Sequence, residues 1–338
     1  MIVSAVRAPS TPAELLPPEL AGRLDALDVL SRKILSGKLQ GERRSKRRGR
    51  SVEFDDYREY SAGDDLRHID WNVFARLDRF FIKIFQEEED LALHLLLDAS
   101  ASMMAGRPPK LFTAAQLAAA LGYIGLVNNN RVTLTIFGGG AGVRRLEPLR
   151  GRRNLQRLVG FVLEHAFGEP PTPGRSEPAF TSTLKALAAS PSGRGVAVVL
   201  SDLLTPGPDG YQAGLRALAA AGGGAAAGRA GGLDVHVLQI LSAGELDPAA
   251  EAGGAGGAAG GPSPVIGDLR LTDAESGRTA EVTVSRALLE RYRKVAAAYV
   301  AEAEAFCRAR GMSHRLVRSD ADVAGLVVDS LRRQGLLT

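Results

Sequence analysis

Two serines and an aspartate alternate in Asp98-Ala-Ser-Ala-Ser102, directly after the apolar run Leu93–Leu97. Alternate residues of an extended chain project to one side, so the oxygens of Asp98, Ser100 and Ser102 should converge at the end of a buried strand. Hard oxygen ligands of this kind suit Mg²⁺ or Mn²⁺. These residues therefore predict a cation pocket.

An octahedral Mg²⁺ needs further ligands, and two later segments offer them. Thr181, Ser182 and Thr183 open a predicted helix, and Asp202 follows the apolar run 195–200. Each residue taken singly is explained as a turn or helix cap, but as a set at neighbouring strand ends they favour a metal site. Two carboxylates and several neutral hydroxyls would leave the cation an open position for another molecule's carboxylate, which predicts binding rather than catalysis. The residues themselves therefore predict metal ligands at Asp98, Ser100, Ser102 and Asp202, with a further hydroxyl from Thr181, Ser182 or Thr183.

The elements that must position these residues begin near residue 91, where strand and helix patterns alternate. This alternation predicts an α/β fold with a mainly parallel central sheet and helices on both faces. Ligands bind such sheets at the carboxyl ends of the strands, where Asp98 and Asp202 both fall. Residues of about 262–284 predict an inserted β-hairpin that turns at Glu275–Gly277. The predicted strands lie at 93–98, 132–137, 143–146, 195–200, 234–241 and 313–319, and the predicted helices at 109–127, 153–165, 181–189, 211–221, 285–310 and 322–334.

Residues 41–90, a β-rich N-terminal extension, begin with a basic run. The run Arg43–Arg50 is explained either as a solvated loop or as a site for an anionic partner such as nucleic acid, phospholipid or an acidic protein face. No aromatic residues are interleaved and no recognition helix follows, so sequence-specific nucleic-acid binding is disfavoured. Before this extension, residues 1–40 predict a flexible, proline-rich lead and a short amphipathic helix at 24–37.

The extension also concentrates acidic residues around its single tryptophan. A metal-dependent nuclease site is one interpretation, but the required strand-borne acid and lysine constellation does not follow. A buried network of salt bridges and turns is the favoured interpretation. The alternative function is nucleic-acid binding or nuclease activity that uses the basic run with Asp64, Asp65 and Asp70. The residues predicted to shape a partner-binding face are Arg43, Arg44, Arg47, Arg48, Asp64, Asp65, Arg67, Asp70 and Trp71.

Composition bounds the remaining possibilities for the 338 residues, of which 45% are apolar. The single cysteine, Cys307, excludes an internal disulfide framework and multi-cysteine metal sites. The N-terminus has no apolar core of signal-peptide length, and the stretch 111–127 is too short and weakly apolar to span a membrane comfortably, which predicts a cytoplasmic protein. Ser100 lies in no G-x-S-x-G motif, no histidine is placed beside it, and the glycines of 137–142 precede no G-K-[ST], so no enzyme is predicted.

The stretch Gly63-Asp-Asp-Leu-Arg-His-Ile-Asp-Trp71, followed by the Asp98–Ser102 motif, resembles the DUF58 family. These are bacterial and archaeal proteins typically encoded beside MoxR-type AAA+ ATPases. With Thr181 and Asp202, the Asp98–Ser102 motif resembles the metal-ion-dependent adhesion site of von Willebrand factor A (vWA) domains. Phe180 stands where those domains usually have glycine, so the third hydroxyl ligand is either Thr181 or Thr183.

These resemblances imply a Rossmann-like vWA domain over residues 91–338 that binds Mg²⁺ (or Mn²⁺). By resemblance, Ser100, Ser102 and Thr181 would ligate the ion directly or through water, while Asp98 and Asp202 would act directly or from the next layer. We expect a chaperone-like, non-enzymatic interaction module that works with a MoxR-type AAA+ ATPase on an unknown client protein. The process would be the maturation or assembly of another complex.

Overall fold

The computed structural model describes residues 8–25, 27–29, 52–61, 69–87, 91–168, 179–190, 195–205, 210–221, 233–249, 266–331 and 336–337. The chain divides into two compact units, one of Met1–Leu39 with Leu91–Thr338 and the other of Gln40–Asp90. In chain order the strands are β1 (Val52–Glu59), β2 (Phe81–Glu87), β3 (Ala92–Asp98), β4 (Arg131–Phe137), β5 (Arg144–Leu149), β6 (Gly195–Ser201), β7 (Leu233–Leu241), β8 (Gly267–Thr272), β9 (Thr279–Val284) and β10 (Ser313–Arg318). The helices are α1 (Pro12–Leu15), α2 (Pro18–Leu24), α3 (Trp71–Leu77), α4 (Lys110–Val127), α5 (Leu155–Phe167), α6 (Ala179–Ala189), α7 (Gln212–Ala221), α8 (Ala243–Leu246), α9 (Arg286–Arg308) and α10 (Val323–Gly325).

A six-stranded sheet in the order β10-β7-β6-β3-β4-β5 forms the centre of the larger unit. β3 is paired in parallel with β6 on one side and with β4 on the other. β7 and β10 continue the sheet in parallel, whereas β5 runs antiparallel to β4 at the opposite edge. Every residue of β3, β6 and β7 is buried, as expected for strands covered on both faces. The predicted α/β fold with a mainly parallel sheet is confirmed.

Alternate residues of β3 pack into two apolar clusters, one on each face of the sheet. Leu93 and Leu95 belong to the cluster that contains α4 and α5. Leu96 belongs to the cluster formed with α6, α7 and the C-terminal half of α9. Period-two burial of this kind fixes the strand register and therefore the side on which each polar residue emerges.

Helix α4 is the one helix in the described ranges that is long and apolar enough, by length and composition, to cross a membrane. In this fold 83% of it is buried inside the larger unit. A core helix of a globular protein meets the same criteria, so this helix is explained by its packing against Leu95 of β3 and Leu158 of α5.

The N-terminal prediction differs from the structure. Within the predicted flexible lead, α1 and α2 each begin at a proline, and Leu15, Leu20 and Leu24 are buried in the core. Leucines at helical spacing anchor the segment, and proline is tolerated in the first helical turn. The predicted helix over 24–37 is wrong where it can be compared, because α2 ends at Leu24 and Val29 forms an antiparallel bridge with Leu337. Residues 30–37 lie outside the described ranges.

The C-terminal helix predicted over 322–334 is interrupted. Asp322 caps α10 by accepting hydrogen bonds from the amides of Ala324 and Gly325, and Leu326–Leu331 continue as a π-helical turn. The inserted hairpin is present as β8 paired antiparallel with β9.

In the smaller unit, β1 pairs antiparallel with β2, and α3 lies between them in the chain. The helix was not predicted, although its cap is visible in the sequence. Asp70 accepts hydrogen bonds from the amides of Asn72 and Val73, which is the usual role of an aspartate at a helix N-terminus. The Tyr57 hydroxyl donates to the same carboxylate at 3.0 Å.

Candidate functional site

The candidate site lies at the carboxyl ends of β3 and β6, the two central strands of the sheet. Parallel register pairs Leu97 with Leu200, which brings the strand ends Asp98 and Ser201 side by side. The Ser201 hydroxyl donates to Asp98 Oδ2 at 2.6 Å. The Asp98 side chain is therefore held in a fixed position at the strand end.

The two serines of the motif meet through a tight turn rather than along an extended strand. The amide of Ser100 donates to Asp98 Oδ1 at 3.0 Å, and a 3₁₀ helix over Ala101–Met104 follows at once. The hydroxyls of Ser100 and Ser102 lie 3.2 Å apart. The structure thus brings Asp98, Ser100 and Ser102 together, as predicted, but the turn supplies the convergence that extended geometry was expected to give.

The loop after β4 closes one side of this group. Gly138 has a φ of +80°, and a Cβ built on it would lie 2.9 Å from the Ser100 amide nitrogen and 3.0 Å from Asp98 Oδ1. Only a residue without a side chain fits that approach. The sequence of this glycine-rich loop does not continue as a phosphate loop would. In the structure, Gly138 lets the backbone of the loop lie against the Asp98–Ser102 turn.

Asp202 lies beside the group and is engaged by a lysine. Lys110, at the start of α4, is fully buried, and its ammonium donates to Asp202 Oδ2 at 2.7 Å and to Glu245 Oε1. The amide of Leu204 donates to the other oxygen of Asp202 at 2.9 Å. Glu245 is itself oriented by a capping box with Ser242 at the start of α8. Sequence reasoning missed both Lys110 and Glu245, and the one available signal was a charged residue heading an otherwise apolar helix.

Burial and neighbouring negative charge make it costly to keep the carboxylates of this site ionised. Burial, and secondly the negative charge of Asp202, raise the pKa of Asp98 to about 6. Burial by itself would lower the pKa of Lys110, but the charges of Asp202 and Glu245 outweigh it and the pKa is raised. Lys110 is therefore a permanent cation that offsets one of the carboxylate charges around it.

A fourth carboxylate enters from the hairpin. The amide of Ser102 donates to Glu275 Oε1 at 2.8 Å, from the turn between β8 and β9. Sequence reasoning placed the turn at this residue but gave it no part in the site. With Asp98, Asp202 and Glu245, the site contains four carboxylates and one ammonium, so the ionised site carries excess negative charge.

The two threonines on α6 occupy different environments. Thr183 is buried, and its hydroxyl has no hydrogen-bond partner among the described residues. Thr181 is half-buried, and its Cα lies next to Gly214 of α7. Edge-to-face packing of Phe180 against Phe137 holds the first turn of α6 near the end of β4. Of the two alternatives left open by the sequence, Thr183 is the one that leaves a buried oxygen unsatisfied.

These residues fit a hard cation through hydroxyl and carboxylate oxygens. Among the described residues no group of three or more His, Cys, Asp and Glu side chains is arranged to hold a metal ion. The donors that the structure brings together are instead one carboxylate, Asp98, and the hydroxyls of Ser100 and Ser102. Neutral oxygen donors with few carboxylates are acceptable to Mg²⁺, which retains several waters.

Of the predicted partner-binding residues, the structure describes Asp70 and Trp71. Asp70 is buried and serves as the cap of α3. The Trp71 side chain is 62% exposed and packs edge-to-face against Phe74 and Phe80. The remaining ones, Arg43, Arg44, Arg47, Arg48, Asp64, Asp65 and Arg67, lie outside the described ranges.

Comparison with known proteins gives a family and several relatives. The model described as "Protein of unknown function DUF58" matches residues 56–223. An uncharacterized Mycobacterium tuberculosis protein is 28% identical over 324 residues, covering 95% of this chain and 92% of that protein. An uncharacterized Mycobacterium avium protein is 31% identical over 195 residues, covering 57% of this chain and 96% of that protein. The resemblance to this family noted from the sequence is confirmed.

Two solved structures show weak similarity. An aerotolerance-related membrane protein from Bacteroides fragilis is 17% identical, with a TM-score of 0.36, over 72% of this chain and 97% of its own. The pilus adhesin SpaC from Lactobacillus rhamnosus GG is 16% identical, with a TM-score of 0.29, over 46% of this chain and 26% of its own. At these TM-scores neither similarity bears on the function of this chain.

Proposed function

The chain belongs to the DUF58 family, and from the chemistry of its site we propose that it is a vWA-like, divalent-cation-dependent module for binding another protein. The observation that carries the proposal is the meeting of Asp98, Ser100 and Ser102 at the end of the central strand, beside Asp202. Excess carboxylate charge around this group is a second support, since a divalent cation would offset it.

In the proposed site, Asp98, Ser100, Ser102 and Thr183 hold Mg²⁺ (or Mn²⁺). Asp202 is bound by Lys110 at 2.7 Å and would therefore reach the cation through water. We choose Thr183 over Thr181 because a buried hydroxyl without a partner costs free energy that a ligand would recover. When bound, the cation supplies an electron-poor position for a carboxylate oxygen of the partner protein.

Binding without catalysis agrees with how the nucleophile candidates are held. The hydroxyls of Ser100 and Ser102 contact each other, and no histidine or lysine among the described residues is hydrogen-bonded to either as a base. Lys110 is tied to two carboxylates, which hold it as a cation and prevent it from acting as a base. The site is therefore proposed to be non-enzymatic.

The proposed process is the maturation or assembly of another complex, in the cytoplasm, together with a MoxR-type AAA+ ATPase. Its support is the family resemblance, since such ATPases are typically encoded beside DUF58 proteins. The nucleic-acid alternative loses one of its three acids, because Asp70 is engaged as the cap of α3. The basic run on which the alternative also depends lies outside the described ranges.

Calorimetric titration with MgCl₂ tests the cation site directly. We expect saturable Mg²⁺ binding by the wild type, loss of binding in Asp98→Ala, and at least about tenfold weaker binding in Thr183→Val. Thr181→Val and Ser182→Ala are the matched controls, because Ser182 is exposed and its hydroxyl donates to the carbonyl of Ala179. Unchanged affinity in Asp98→Ala would contradict the cation site.

The partner hypothesis is tested with a purified MoxR-type ATPase from the same organism. Capture is measured with the wild type in Mg²⁺, with the wild type in EDTA, and with Asp98→Ala in Mg²⁺. We expect capture only in the first sample, because the cation forms the bridge. Equal capture in all three samples would rule out a metal bridge between the two proteins.

A further inference from the structure

The β8–β9 hairpin (267–284), called the hairpin arm below, carries a carboxylate from a distant part of the chain into the site. Ser102 and Glu275 are separated by 173 positions, and the Ser102 amide donates to Glu275 Oε1 at 2.8 Å. Ser102 is only 8% exposed. An acidic side chain of the protein itself therefore lies against the Asp98–Ser102 turn, next to the oxygens that are proposed to hold the cation.

The hairpin arm contacts the site at its tip. Most side chains of β8 and β9 are exposed, and Val284, where the arm meets α9, is buried. At the turn, Ala274 and Glu275 are half-buried, whereas the residues on either side of them are exposed. Between its base and its tip only the paired residues Leu269 and Val282 have half-buried side chains. Two strands with so small a packed face are marginally stable by themselves, so little apolar burial opposes movement of the arm.

The tip is built to present Glu275 in a fixed position. Asp273 Oδ1 accepts hydrogen bonds from the amide of Glu275 at 3.0 Å and from the amide of Ser276 at 2.6 Å. Gly277 closes the turn with a φ of +70°, and its amide donates to the Asp273 carbonyl at 2.9 Å. These bonds lie within the turn and do not depend on the site, so the arm can withdraw with its tip intact.

We propose that Glu275 is an internal ligand which competes with the partner's carboxylate, and that partner binding requires withdrawal of the hairpin arm. This inference rests on the proposed function. It also specifies the partner's chemistry: an aspartate or glutamate at an exposed turn, able to replace Glu275 at the Ser102 amide. The apparent affinity of such a partner is reduced by the fraction of molecules in which Glu275 is bound.

The test uses acetate as a minimal carboxylate probe and the full chain labelled with ¹⁵N-serine. Mg²⁺ binding is first measured by calorimetry for the wild type, Glu275→Ala and the control Glu281→Ala, whose side chain is exposed on β9. The Ser102 amide resonance is then followed during titration with sodium acetate in MgCl₂, with ionic strength held constant by NaCl. We expect all three proteins to bind Mg²⁺, and Glu275→Ala to respond at acetate concentrations at least about tenfold lower than the other two.

Three other results would each overturn the proposal. Equal acetate responses in three proteins that bind Mg²⁺ would show that Glu275 does not compete, and the proposed function would stand. Loss of Mg²⁺ binding in Glu275→Ala alone would make Glu275 a permanent part of the cation site. Absence of Mg²⁺ binding from all three proteins would overturn the proposed function itself, and the internal ligand with it.

Discussion

At the scale of single residues, Lys110 does most to define the site's electrostatics. Its ammonium has no access to solvent and bonds to Asp202 and Glu245. Burying Lys110 and Asp202 and half-burying Glu245 is costly, and their mutual attraction offsets that cost only while all three remain in place. Lys110 therefore fixes the position of Asp202 and links the start of α4 to the ends of β6 and β7.

Replacing Lys110 by methionine should destabilise the fold by roughly 3–5 kcal/mol, because the carboxylates of Asp202 and Glu245 lose their buried counterion. Urea unfolding at neutral pH measures the change in the free energy of unfolding. Lys185→Met, at an exposed position on α6, is the control and should stay within about 0.5 kcal/mol of the wild type. Equal midpoints for Lys110→Met and the wild type would refute the structural role of this ion pair.

At the scale of elements, the site depends on how the loop after β4 approaches the turn after β3. Gly138 permits this approach. Replacing it by alanine would put a Cβ 2.9 Å from the Ser100 amide nitrogen and 3.0 Å from Asp98 Oδ1. Gly142, in the same loop, also has a positive φ of +72° but has open space around it. An alanine at either position adds backbone strain, but only an alanine at position 138 adds a steric contact as well. Comparing the two substitutions therefore separates the two effects.

Gly138→Ala should lower the free energy of unfolding by about 1–2 kcal/mol more than Gly142→Ala does. Both substitutions place an alanine in the left-handed region, but only the first displaces the Asp98–Ser102 turn. Mg²⁺ affinity should fall in Gly138→Ala and remain at the wild-type value in Gly142→Ala. Urea unfolding and calorimetry measure the two quantities. A cation affinity in Gly138→Ala equal to that of the wild type would show that the loop does not position Ser100 and Asp98.

Much of the sheet could be predicted because buried parallel strands leave a strong local pattern. The runs that became β3, β6 and β7 are apolar almost throughout, and the helices between them follow at regular spacing. Helix α3 was missed because seven residues give too little periodicity to distinguish a helix. The prediction of a flexible lead over residues 1–20 was wrong because it rested on the prolines. Proline begins both α1 and α2, and the leucines that follow anchor the segment.

The site was only partly predictable, for a different reason. Asp98, Ser100 and Ser102 are local in sequence, so their grouping follows from the motif. Lys110 and Glu275 join the site through tertiary packing, and a lysine before an apolar helix or a glutamate in a turn has many simpler explanations. Pairing across 92 and 173 positions leaves no local signal in one sequence.

At the scale of the whole molecule, the sheet buries a titratable histidine that has no part in the proposed site. His94 lies in β3 with 4% of its surface exposed, and its Nδ1 lies 2.7 Å from the Thr133 hydroxyl. Its Nε2 has no hydrogen-bond partner among the described residues. Burial, and then the positive charges of Arg145 and Arg131, lower the pKa of His94 to about 4. The folded protein therefore holds this imidazole neutral under mildly acidic conditions.

Acid should destabilise the fold through His94 between pH 6.5 and about pH 4. In that range the unfolded chain binds a proton that the folded chain excludes, so the free energy of unfolding falls as the pH falls. From pH 7 to pH 5 the expected loss due to His94 is about 2 kcal/mol. Urea unfolding of the wild type and of His94→Asn at both pH values measures it, with Asn keeping a polar group near Nδ1. Asp98 and the other titrating groups are common to both proteins, so equal pH dependence in the two would show that His94 is not the acid-sensitive group.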